Sequence, residues 1–331
     1  MSAPGGVTVI VPSLGRSPWQ EEMLAALRRE LAGSDAELVW VHQGEARTPQ
    51  LPGARELLVR LPRAAGFAAA VNFGLLAADS HSRTIALVND DLVVEPGWLQ
   101  ELTAELARRP RAGAVQGVQL ELARPELVEG CGIGWNRAWQ AVQAHAGEVP
   151  PSVTAAPFEV FGVSATAALF RREALADVGK GGSAGRAASG EVERLFDERL
   201  GSYYEDVELA VRLREAEWES WCVPAARARH AGHATTGRAP LARWRAIHRN
   251  RILVLRRLLG ADFASTLPRL AARDGRDLLR AALRLDGARA CGVVAGWAAA
   301  LPRLGAFAPP SADANRRALA AAERFRIGSA A

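Results

Sequence analysis

Thr84-Ile-Ala-Leu-Val-Asn-Asp-Asp-Leu-Val-Val-Glu-Pro-Gly-Trp98 decides how the rest of the chain is read, because an apolar run delivers Asn89, Asp90 and Asp91 to its end. Ile85 to Val88 read as a strand buried on both faces, and in open α/β sheets ligands gather at the carboxyl ends of such strands. Adjacent carboxylates there suit a hard divalent cation, since Mg²⁺ and Mn²⁺ take oxygen ligands and are often shared with substrate phosphates. The same residues also suit a turn, or a cap on a helix starting near Pro96. Two readings therefore stand at this point, a metal site and a helix cap.

Working outward, Val7 to Val11 reads as a strand ended by Pro12, Ser13 and Gly15, and Met23, Leu24, Leu27 and Leu31 fall at helical spacing within 21–31. Leu38 to Val41 and Leu57 to Leu61 are two further strands, and a small-residue helix over about 68–78 follows a turn at Gly66. Strands alternating with helices over the first 110 residues predict a mostly parallel sheet with right-handed crossovers, an α/β fold of nucleotide-binding style. Further on, 101–108 reads as helix, Gly113 to Leu120 as strand, 121–160 as irregular, and Ala165 to Phe170 as strand. Five of the twelve residues from Gly179 to Gly190 are glycine, which predicts a mobile loop. Glu205 to Glu215 has the spacing of a partly buried helix, a strand is expected to end at Val223, and everything beyond Gly237 reads helical. The expected organisation is an α/β unit over 1–237, with halves at about 1–110 and 111–237, and a helical extension over 238–331.

Composition narrows the class. The chain has 331 residues, 49% of them hydrophobic and 23% charged, an ordinary globular balance. Its three cysteines match no zinc or redox spacing, which predicts a reduced, cytoplasmic setting. The N-terminus has no basic region ahead of its apolar stretch, and the longest uncharged apolar run, Ala290 to Pro302, has 13 residues where a spanning helix needs about 20. No bilayer span is expected. The charge is uneven: 20 arginines and 6 acidic residues follow position 226, a net of +14, against 21 basic and 30 acidic before it, a net of −9. A basic tail on an acidic body points to an anionic partner.

Four segments occur in a telling order: Arg63-Ala-Ala-Gly66 through Asn72-Phe-Gly74, then Asn89-Asp90-Asp91, then Tyr204-Glu205-Asp206 through Leu213, then Val223-Pro through His230. The ordered set resembles the family-two inverting glycosyltransferases of the GT-A fold, in the bacterial branch with rhamnosyl- and galactofuranosyltransferases, over roughly residues 7–260. The resemblance implies that Asn89-Asp90-Asp91 stands for the Asp-X-Asp motif, with Asp91 and His230 as ligands of Mg²⁺ or Mn²⁺ and His233 a weaker rival. It implies Asp206, beside Glu205, as the base that deprotonates the acceptor. Its donor-binding positions fall on Pro12, Ser13, Leu14, Arg63, Gly66, Asn72, Asn89 and Asp90. The strand-ending acid that reads the base in the family is absent, leaving His42 and Gln43 in its place. Ser164-Ala-Thr166 stands where the family has Ser-Gly-Ala, and the glycine-rich stretch separates Gly179 from Phe196-Asp197-Glu198.

Leu241 to Leu259 interleaves Trp244, Ile247, Ile252 and leucines with six arginines, a basic amphipathic helix suited either to packing with solvated arginines or to an anionic membrane surface. The expectations are thus a nucleotide-diphosphate-sugar donor, a glycan or lipid-linked acceptor in cell-envelope polysaccharide synthesis, and a cytoplasmic protein peripheral to the inner face of the membrane. A homodimer through the C-terminal helices fits the same tail. The competing reading is a non-catalytic nucleotide-sugar-binding or scaffold protein of this fold. Nucleic acid is not an expected partner, because the tail holds few stacking aromatics and no nucleic-acid module.

Overall fold

The computed structural model describes residues 6–44, 46–179, 194–232 and 240–328. The first half alternates as expected: β1 (Val7–Ser13), α1 (Gln20–Leu31), β2 (Glu37–Gln43), β3 (Glu56–Leu61), α2 (Phe67–Ala77) and β4 (Thr84–Val88). These four strands pair in parallel in the order β3-β2-β1-β4. Burial on both faces explains the continuous apolar runs: every residue of β1 and β4 is buried, against helices on either side.

The second half makes the sheet mixed. It contains β5 (Leu92–Val94), α3 (Trp98–Arg108), β6 (Ala112–Glu121), β7 (Arg124–Gly130), β8 (Ile133–Trp135), β9 (Ala141–Gln143), β10 (Phe158–Val160), β11 (Ala167–Arg171), α4 (Arg172–Gly179), α5 (Glu205–Glu215) and β12 (Glu219–His230). β11 runs antiparallel to both β4 and β6, and β12 runs parallel to β6. β4, β6 and β12 therefore share one direction, and the carboxyl end of β12 lies at the same sheet edge as the carboxyl end of β4.

Two expectations need correcting. The stretch 121–160 is not irregular, since it supplies β7 to β10; three of these strands are only three residues long, and so short a pairing leaves no periodicity to read. The strand expected to stop at Val223 continues to His230. Its register against β6 shifts between Val223 and Arg227, so Pro224 sits in a bulge, where a missing N–H is tolerated.

Four helices complete the described chain: α6 (Pro240–Leu259), α7 (Phe263–Leu283), α8 (Gly287–Ala300) and α9 (Ala312–Arg324). Ile252, Leu255, Leu258 and Ala318 share one apolar cluster with Trp135, Phe161 and Val207, so these helices pack directly on α5 and the sheet domain. The boundary placed at 237 and the glycine-rich stretch 180–190 lie outside the described residues.

The arginines of α6 are not laid out on a solvent face. Arg251 is buried against Asp274 of α7 at 2.5 Å, and Arg257 is buried against Glu215 of α5, its Nε donating at 2.9 Å. The basic amphipathic pattern of the sequence is, in this half of the helix, a set of internal ion pairs. Gly292 and Gly296 of α8 ride on α6: a Cβ on either would come within 2.3 Å of the Trp244 Cβ or 2.6 Å of the His248 Cβ. The helical stretch Gly287–Phe307 is long and apolar enough to cross a membrane by length and composition, which the count of uncharged residues alone did not indicate. About a third of its most apolar part is buried, against α6 and α7.

Candidate active site

The carboxylates at the end of β4 do not cap a helix. β5 separates them from α3, and the first N–H groups of α3 are served by Glu30 of α1, which accepts from Gly97 and Leu99 at 2.9 and 3.0 Å. Asp90 and Asp91 are instead buried where β1 and β12 converge on β4. Ser13, at the end of β1, donates its hydroxyl to Asp90 at 2.5 Å and accepts the Gly15 N–H at 2.9 Å. Burial, with the nearby Asp91 charge, pushes the Asp90 carboxyl up to about 6 against the Ser13 hydrogen bond.

His230 closes the other side. Its Nε2 lies 3.2 Å from Asp91 Oδ1, and its Nδ1 lies 2.7 Å from a carboxylate oxygen of Glu129 on β7. Burial alone would lower the imidazole; the hydrogen bonds and charges of Asp91 and Glu129 outweigh it and push His230 up to about 10. Two adjacent ligands of an octahedral ion at about 2.1 Å stand about 3 Å apart, so the Asp91–His230 pair fits a shared cation with little movement. Glu129 stands where a carboxylate would orient His230 from behind if the imidazole took an ion. Sequence reading missed it because it lies in the stretch taken as irregular. His233 lies outside the described residues.

The predicted base stands at the start of α5. Tyr203 and Tyr204 both take left-handed backbone, φ 70° and 68°, a strained pair that turns the chain sharply into the helix. Asp206 accepts the Val207 N–H at 2.8 Å and also the Ala165 backbone N–H, while keeping a partial opening to solvent. Desolvation pushes it up to about 6. Glu205 is raised further, by burial and then by the Asp206 charge, and its Oε2 is buried without a hydrogen-bond partner. Of the pair, burial raises Glu205 the more strongly, and Asp206 is the one with an opening to solvent.

The Ser164-Ala-Thr166 segment joins the two clusters. The Ala165 N–H binds Asp206, and the Thr166 carbonyl accepts the Asn89 N–H at 2.8 Å. Asn250 of α6, fully buried, donates to the carbonyls of Leu200, Ser202 and Tyr203 at 2.9, 3.0 and 2.6 Å, fixing the loop ahead of the base. It too was missed, hidden among arginines; a lone asparagine on the apolar side of a helix was the available signal.

The remaining predicted donor residues divide. Arg63 is exposed in the loop after β3, and Pro12 and Leu14 flank Ser13 at the same sheet edge. Asn89 projects a buried Oδ1 with no partner. Gly66 takes φ 93° at the head of α2 and faces Gly201, where a Cβ would meet backbone at 3.6 Å. Asn72 is not available to a donor: its amide gives hydrogen bonds to the Phe196 carbonyl and Glu198 and accepts the N–H groups of Leu195 and Phe196, which exhausts its valence. Gln43 accepts the Ala65 N–H at 2.9 Å and so braces the Arg63 loop. His42 is wholly buried beneath the Gly15 turn, and burial lowers its imidazole toward the neutral form. A Cβ on Gly15, at φ 66°, would fall 2.6 Å from both the His42 ring and the Arg47 carbonyl.

A parallel nucleotide-binding half and two carboxylate clusters at one sheet edge define a GT-A glycosyltransferase that uses a nucleotide-sugar. The chain belongs to glycosyltransferase family 2, the model for "Glycosyltransferase like family 2" matching residues 4–251, and an inverting transfer is typical of that family. Among characterised relatives, an N-acetylglucosaminyl-diphospho-decaprenol L-rhamnosyltransferase of Mycobacterium tuberculosis is 28% identical over 278 residues, covering 75% of this chain and 83% of that protein. The fold is shared with GalNAc-T7, solved with UDP, GalNAc and Mn²⁺, at a TM-score of 0.55 and 12% identity; the match covers 76% of this chain and 48% of that one. A mannosyltransferase from Pyrobaculum calidifontis, solved with GDP-Man and Mn²⁺, aligns over 98% of this chain and 87% of its own at a TM-score of 0.48 and 19% identity.

Proposed function

We propose that this enzyme transfers a sugar, of which rhamnose is the first candidate, from a nucleoside diphosphate to a lipid-diphosphate-linked glycan in cell-envelope synthesis. The likeness to the mycobacterial rhamnosyltransferase supports the sugar and the acceptor class. The observation that carries the chemistry is the meeting of Asp91, His230 and Glu129 at the sheet edge that also holds the Asp206 loop.

Asp91 and His230 would hold a Mg²⁺ or Mn²⁺ ion, which when bound neutralises the charge developing on the departing diphosphate. Glu129 keeps the His230 ring oriented and Ser13 keeps Asp90 in place. Asp206 accepts the proton of the acceptor hydroxyl as that oxygen attacks the anomeric carbon from the face opposite the diphosphate, in one displacement with inversion. Its carboxylate is fixed by two backbone N–H groups, so no reorganisation is needed during the attack.

The test is a transfer assay with the full chain, a panel of uridine, thymidine and guanosine diphosphate sugars, Mg²⁺ or Mn²⁺, and a prenyl-diphospho-N-acetylglucosamine acceptor. Acceptor-dependent release of nucleoside diphosphate, with an inverted anomeric centre in the product by NMR, is expected for a deoxyhexose donor. Turnover only with a soluble acceptor lacking the lipid diphosphate would refute the acceptor assignment.

A further inference from the structure

The end of α7 and the turn into α8 expose apolar surface that nothing in the described fold covers. Leu279, Leu283 and Leu285 are 60%, 76% and 93% exposed. Leu285 also takes left-handed backbone, φ 56°, which is uncommon for a large side chain. Arg276, Leu279, Arg280 and Leu283 share one helix face by their three- and four-residue spacing, and Arg284 follows at the turn. These three arginines are exposed and make no ion pair among the described residues. The neighbouring carboxylates face inward: Asp277 pairs with Arg273 at 2.8 Å, and Asp286 accepts the Arg289 N–H at the start of α8.

We infer that this tip is a docking surface for an anionic lipid bilayer, with the leucines entering the headgroup boundary and the arginines meeting lipid phosphates. Charge complementarity selects that occupant over a second copy of the chain. A two-fold contact would set this all-cationic patch against itself, whereas an anionic leaflet neutralises it. The position suits an enzyme whose acceptor is lipid-borne. Gly296 of α8 lies against His248, two residues before Asn250, which holds the loop ahead of Asp206. Gly287, the first residue of α8 after the tip, precedes Gly296 by nine positions, so the tip stands about 14 Å along the helix axis from the Gly296–His248 contact. The membrane contact thus moves from α6, where the sequence pattern placed it, to the α7–α8 turn.

The test reads binding rather than turnover, so its failure is distinguishable from failure of the proposed reaction. The full chain is sedimented at low salt with vesicles of phosphatidylcholine alone and of phosphatidylcholine with phosphatidylglycerol. Two variants are compared with it, Leu279→Ser/Leu283→Ser/Leu285→Ser and Arg276→Gln/Arg280→Gln/Arg284→Gln. Binding of the native chain to the anionic vesicles only is expected, with a loss of about a hundredfold in partitioning for the arginine variant. A loss of at least tenfold is expected for the leucine variant, and both variants should keep the native unfolding midpoint. Absence of binding by the native chain, undiminished binding in either variant, or a native dimer that the leucine variant converts to monomer would overturn the inference.

Discussion

At the scale of single residues, Asp206 combines rigid placement with a raised proton affinity, and both have measurable consequences. Its carboxyl titrates near 6, above the usual value of about 4, because desolvation disfavours the charge. The activity limb follows: kcat/KM should rise through about pH 6 and level off above it as the carboxylate forms. The stability consequence has the opposite sense. A folded-state pKa above the unfolded one means the native state binds the proton more tightly, so that contribution is complete below about pH 4 and is lost as pH rises through about 6. Asp206→Asn should therefore abolish at least 99% of turnover yet unfold at a higher temperature than the native chain at pH 7.5, with the difference vanishing near pH 4. Equal midpoints at both pH values would show that the side chain is not desolvated as described. Behind His230, Glu129→Gln keeps the size of the side chain but removes a carboxylate that helps raise the imidazole; it should weaken Mn²⁺-dependent donor binding by about tenfold or more and also lower the metal-free unfolding midpoint at neutral pH, the stability difference shrinking as pH rises toward 10.

At the scale of elements, α6 changed most between sequence and structure. Arginine spacing made it legible as a helix with one apolar face; it is a helix, but from Asn250 to Leu259 every residue except Arg256 is buried, because a periodicity says nothing of what lies opposite each charge. Glu215, Asp274 and the 200–203 carbonyls come from three other parts of the chain, and only the tertiary fold brings them to Arg257, Arg251 and Asn250. The same limit hid Glu129 and left Asn72 misread as a donor contact. By contrast β1, β2, β4 and α5 were legible almost to the residue, because burial on both strand faces writes a continuous apolar run and a helix writes its own period. Asn250→Ala should take the Asn250 donor from the Ser202 and Tyr203 carbonyls, while Leu200 keeps Arg249, costing about 1–3 kcal/mol of stability and lowering kcat more than donor affinity, read by thermal unfolding and steady-state kinetics. Gly296→Val would drive a branched side chain into the His248 Cβ and should destabilise by roughly 1–3 kcal/mol, read in urea unfolding.

At the scale of the whole molecule, the helices after position 240 brace the 200–203 loop ahead of Asp206, while the sheet edge presents Asp91 and His230. Buried charge runs through this junction. Arg257 lies between Glu208 and Glu215, and Asp274, which burial alone would raise, is held well below the usual carboxylate range by His248, Arg251 and Trp297. Such networks set geometry more than they add net stability, and removing one member leaves its partners charged and dry. The account rests on Asp91 and His230 forming the diphosphate site. Its most direct test is calorimetric titration of the donor's nucleoside diphosphate, with and without Mn²⁺, into the native chain and Asp91→Ala. Binding that requires Mn²⁺ in the native chain and is lost in the variant is predicted; nucleotide binding of equal strength in both, independent of Mn²⁺, would contradict it.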